Sequence, residues 1–131
     1  MNYTSREESK DLLELGINKG TSNLVYVPGL EFPSVLPGVK FSVIEEKIKQ
    51  KYQDAAIPAW TTDALIKLLP KKINSSYQLL IFPDLTTDMW VAMYDEIGTH
   101  TKVLEACGDS VYKKAILKLV KWVLKEKEGS I

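Results

Sequence analysis

The stretch that most constrains this chain is "DSVYKKAILKLVKWVLKEKE" at residues 109–128, where Tyr112, Ala115, Ile116, Leu119, Val120 and Val123 recur at the helical period. A helix with a single apolar face needs a flat apolar surface to lie on. The residues before it supply one. "SYQLLIFPD" and "DMWVAMYDE" are rich in the aromatic and branched residues that favour strands, and only "LTT" separates them. "THTKVLEA" offers a third, weaker strand after the turn at Gly98. These features predict an antiparallel meander over residues 77–82, 89–94 and 101–105, packed against a helix over 110–127. Strands grouped together and then followed by a helix define an α+β fold rather than an alternating α/β one. Few charges interrupt the two central strands, so both sheet faces are expected to be covered. The helix would take one face, and a loop, another helix or a partner chain the other, which leaves room for a homodimer.

Two shorter helices are expected upstream. In "SREESKDLLELGI" Ser5 and Glu8 stand at capping-box spacing and Gly16 closes the segment, with Thr4 and Glu7 as an equally spaced rival cap. In "PAWTTDALIKLLP" Trp60 and Leu65 have the spacing of a hydrophobic staple around Thr61 as N-cap, and Pro70 stops the helix. Between these helices, residues 18–40 carry Gly20, Pro28, Gly29, Pro33, Pro37 and Gly38. Such a density of breakers predicts a structured loop with one short extended piece at "NLVYV". "FSVIEEKIKQKY", residues 41–52, reads as a strand turning into a helix, because its branched residues come first and Glu45 and Lys49 follow at helical spacing.

With 131 residues, one domain spanning 1–131 is expected. Seventeen basic residues balance seventeen acidic ones, which weighs against a nucleic-acid or anionic-membrane partner. No apolar run approaches the roughly 20 residues that span a bilayer, and the polar start "MNYTSREESK" does not read as a secretory signal. The single cysteine, Cys107, can form no intrachain disulfide and no thiolate cage, so a cytoplasmic protein without a metal is expected.

Candidates for chemistry are few. His100 is the only histidine, and with Cys107 and either Asp95 or Asp109 it could assemble a cysteine-hydrolase arrangement. No flanking pattern of such hydrolases accompanies them, and the plainer reading is a turn histidine and a small buried thiol. The acidic residues Glu7, Glu8, Asp11 and Glu14 lack calcium-loop spacing, and "NKGTS" lacks the order and upstream glycine of a phosphate loop. Lys114, Lys118, Lys121 and Lys125 form a stripe along the last helix that could track phosphates, although a solvated helix face explains it more simply. No cofactor and no catalytic residue is expected, and the chain reads as a non-enzyme.

Three segments together suggest a kinship. "YTSREESKDLLELGI", "IPAWTTDALIKLLP" and "EACGDSVYKKAILKLVKWVLKE", with a tryptophan-bearing strand before the last, resemble small proteins of unknown function from gut Bacteroidetes and their phages and mobile elements. There, a helix ending Leu-Gly, a proline-tryptophan lead into a leucine-rich helix, and a final helix with a late tryptophan follow in that order. The resemblance covers both ends and the middle of the chain, whereas residues 22–52 depart from it. It implies an accessory protein of bacterial or phage origin, with no catalytic residue to transfer.

A binding or adaptor role through an unidentified protein partner is therefore expected. The loop 23–40 is the part specific to this chain, it holds more apolar side chains than a loop needs, and its prolines lower the entropy lost on ordering. The predicted contact residues are Tyr26, Leu30 and Phe32, beside Trp60. The alternative is that these side chains fold back to cover the open face of the meander, because a small domain needs that apolar area for its own core.

Overall fold

A computed structural model describes residues 2–36, 38 and 40–130, the last four by backbone alone. Pro37, one of the expected breakers, lies outside the described residues. The chain divides into two units, residues 1–64 and 65–131.

The first unit opens with α1, Arg6–Glu14, where the capping box forms as the spacing predicted. The Glu8 N–H donates to Ser5 Oγ at 3.1 Å and the Ser5 N–H donates to Glu8 Oε1 at 2.9 Å. Gly16, at φ +89°, ends the helix, and the Ile17 N–H reaches back to the Leu12 carbonyl at 3.1 Å. A 3-10 turn at Lys19–Thr21 leads into β1, Leu24–Tyr26. β1 is the centre of a small antiparallel sheet, flanked by β2, Ser34–Val35, and by β3, Ile57–Ala59. The breaker-rich region thus contributes two strands where one extended piece was expected.

Residues 41–52 are helical throughout as α2, Phe41–Tyr52, which corrects the strand-to-helix reading. Phe41, Ile44 and Ile48 stand three and four residues apart, and this stripe packs against Val25 and Ala56. The exposed branched residue, Val43, points away from that stripe. Helical spacing of buried residues outweighs the strand propensity of Val43 and Ile44, which amounts to only tenths of a kcal/mol per residue. Gln53 then closes α2 in the left-handed conformation, at φ 54°.

α3, Thr62–Leu68, follows β3, and the Ala64 N–H donates to Thr61 Oγ1 at 3.2 Å, as expected of an N-cap. The second unit is a four-stranded antiparallel sheet in sequential order: β4, Lys72–Ile73; β5, Tyr77–Asp84; β6, Met89–Glu96; and β7, Val103–Asp109. The meander is the one expected, with β5 and β6 each two residues longer than predicted, the third strand shifted from 101–105 to Val103–Asp109, and β4 added at one edge. α4, Tyr112–Ser130, packs on β6 and β7. The α+β architecture read from the sequence is the architecture of the protein.

The register assigns the paired residues to faces, with one shift between Tyr94 and Asp95 that leaves Leu104 of β7 without an opposite residue. Leu79, Tyr94 and Glu105 align across the strands, as do Ile81, Ala92 and Cys107. These rows face α4: the Trp90 ring meets Tyr112 edge-on at 4.7 Å between centroids, and Tyr94 lies 6.1 Å from Trp122. Ala92, Tyr94, Ala115, Ile116, Leu119, Val120 and Val123 form the buried layer between helix and sheet. On the opposite face, Leu80 aligns with Met93 and Ala106, and Phe82 with Val91 and Gly108. All of these keep some accessible surface.

Candidate functional site

The loop between β1 and β2 begins with "VPGL", residues 27–30, which folds as a turn: the Leu30 N–H donates to the Val27 carbonyl at 3.1 Å. Pro28 supplies the fixed φ of the first corner, and Gly29, at φ +87°, the positive φ of the second. Arg6 of α1 pins this turn from the side. Its Nη2 donates to the Leu30 carbonyl at 2.8 Å, and its guanidinium carbon lies 4.5 Å from the centre of the Tyr26 ring. Val27 and Leu36 turn inward onto the Val25, Phe41, Ile48 and Ala56 cluster, which anchors both ends of the loop. Between these anchors Leu30, Phe32 and Val35 point outward, 50%, 62% and 75% exposed.

The four predicted contact residues therefore separate. Leu30 and Phe32 are on the surface, whereas Tyr26 and Trp60 are not: Tyr26 is buried and Trp60 is fully enclosed. Tyr26 packs with Leu24, Ala59, Tyr3 and Ile57, and its hydroxyl donates to the Thr4 carbonyl at 2.7 Å. Burial is the main cause that pushes its phenol above the ordinary range, with the neighbouring Tyr3 next. The Trp60 indole N–H donates to Thr21 Oγ1 at 3.0 Å. Both rings were available to the core, and strand β1 with its neighbour β3 carried them there. Val35 was not among the predicted contacts. Its place at the edge of the small sheet, next to the inward Leu36, follows from the period of two along a strand.

The cysteine-histidine arrangement does not come together. His100 sits at the tip of the β6–β7 hairpin in the left-handed conformation, and its Nδ1 is bonded to the carboxylate of Asp95, which is buried. The carboxylate partner proposed for the histidine is thus present. Cys107 lies opposite Ala92, four residues along β7 from Val103, which is roughly 13 Å of strand. Its side chain faces α4, and burial, together with the negative charge of Glu105, pushes its thiol up. A raised thiol is poorly suited to nucleophilic attack.

The lysine stripe is also divided. Lys114 and Lys125 are exposed and Lys121 is half-buried. Lys118 is committed to the sheet: its Nζ donates to the Gly108 carbonyl at 2.9 Å and pairs with Asp109 Oδ2 at 3.1 Å. The Asp109 carboxyl is held below the usual carboxylate range, first by the Val111 N–H and then by Lys118.

An open cleft of about 490 Å³ lies between the 3-10 turn and the start of α2, lined among others by Lys19, Thr21, Lys40 and Glu45. "NKGTS" contributes here as a turn closed by Asn18, whose Oδ1 accepts the Gly20 N–H at 2.8 Å, and the Lys19 ammonium pairs with Glu45 at 3.0 Å. Among the described residues, no group of three or more histidine, cysteine or acidic side chains converges on a metal-sized site, and no helix is long and apolar enough to cross a membrane. Compared with known protein families, curated proteins and solved structures, the chain matches none.

Proposed function

We propose that this is a small binding module that acts through the β1–β2 loop, with Leu30, Phe32 and Val35 as the contact residues. The observation that supports this reading is the pairing of exposure with anchorage. Three large apolar side chains, two on the loop and Val35 on β2, stand in water on a segment fixed by Arg6, by a proline-glycine turn and by two inward-facing residues. An apolar surface ordered in advance loses little entropy when a partner covers it. The complementary chemistry is an apolar protein groove large enough for a leucine and a phenylalanine side chain, with an acceptor near Arg6. A cytoplasmic accessory protein of bacterial or phage origin, binding rather than catalysing, is the role this reading gives the chain.

The test compares the intact protein with the double variant Leu30→Ser, Phe32→Ser as baits on extracts of the native host, with Val103→Ser as a control change at another exposed apolar site. A protein retained by the intact bait and by the control, and lost from the double variant, supports the loop as the contact. Identical capture by all three baits rules it out, provided circular dichroism shows that each is folded.

A further inference from the structure

We draw no further inference here: the strongest candidate, the outer edge of β7 at the end of the second sheet, where Glu105 takes the Ala106 N–H and Lys118 the Gly108 carbonyl, carries nothing because nothing in the structure shows what covers it.

Discussion

Thr4 and Trp60 exchange two hydrogen bonds: the Thr4 N–H donates to the Trp60 carbonyl at 2.9 Å, and the Trp60 N–H donates to Thr4 Oγ1 at 3.1 Å. Both residues are fully buried, and the same hydroxyl lies 2.8 Å from Ser9 Oγ while the Thr4 carbonyl accepts from Tyr26. One threonine thus joins α1, β1 and the lead into α3. Replacing it with valine keeps the shape and removes the hydroxyl, leaving the Trp60 N–H and the Ser9 hydroxyl short of a partner in a dry interior. Thr4→Val is expected to destabilise the protein by about 2 to 3 kcal/mol. Denaturant unfolding of the two proteins checks it, and a loss well below about 1 kcal/mol would contradict the arrangement.

Arg6 acts on the loop rather than on the core. Arg6→Gln is expected to speed amide exchange at Leu30 and its neighbours while lowering global stability by less than about 1 kcal/mol, because the contact is largely solvated. Hydrogen exchange resolved by residue separates the local effect from the global one. Unchanged protection at Leu30 would mean that the loop keeps its shape without the guanidinium.

Asp109 ties stability to acid. Its carboxyl is held below the ordinary value in the folded protein, so it contributes stability that is present above the unfolded value of about 3.9 and is lost as pH falls through the folded one. Asp109→Asn is therefore expected to be less stable than wild type near neutrality, with the gap closing on acidification. Urea midpoints for both proteins, taken between about pH 6 and pH 2.5, measure that gap. A gap that stays constant across the range would exclude the linkage.

Tyr94 gives the opposite sign. Burial pushes its phenol up to about 12, and its hydroxyl donates to the Pro70 carbonyl at 2.8 Å. A group raised in the folded state contributes stability that is fully present below its unfolded value of about 10 and is lost as pH rises through the folded one. Tyr94→Phe is expected to cost about 1 kcal/mol near neutrality and to lose less stability than wild type between about pH 10 and pH 12. The alkaline limb of the stability curve is the measurement.

Cys107 is expected to react slowly with a thiol reagent at mildly alkaline pH, compared with a free cysteine, and at the same rate in His100→Ala. A rate that falls when the histidine is removed would show the two side chains communicating and would revive the hydrolase reading.

The second unit was legible because its signals agree at every level: strand composition, short turns and a helical stripe all point to one sheet under one helix. The period along α4 picks out Ala115, Ile116, Leu119, Val120 and Val123, all of which are buried, but it leaves out Lys113 and Leu117, which are buried too. The first unit was harder, since its strands are two or three residues long and pair across wide gaps in sequence, as Leu24 does with Ala59. Periodicity has nothing to work on in such short pieces. The capping box at Ser5 and the cap at Thr61 are visible in the sequence, yet Thr4 reads there only as a rival cap, because its partner lies 56 residues away. Leu30 and Phe32 were identified as surface residues and Tyr26 and Trp60 were misplaced, for a related reason. An aromatic side chain carries the same composition signal in a loop contact as in a core, and only the pairing of β1 with β3 decides between them.

The chain has three tryptophans, and the structure distributes them unevenly: Trp60 in the first unit, Trp90 and Trp122 in the second. Each unit thus carries its own fluorophore. The Trp60 indole is sealed from water and hydrogen-bonded to Thr21, so its emission in Trp90→Phe, Trp122→Phe reports on the first unit alone. Trp60→Phe leaves a signal from the second. Superimposable melting curves from the two proteins would mark one cooperative transition, and separated curves would mark two.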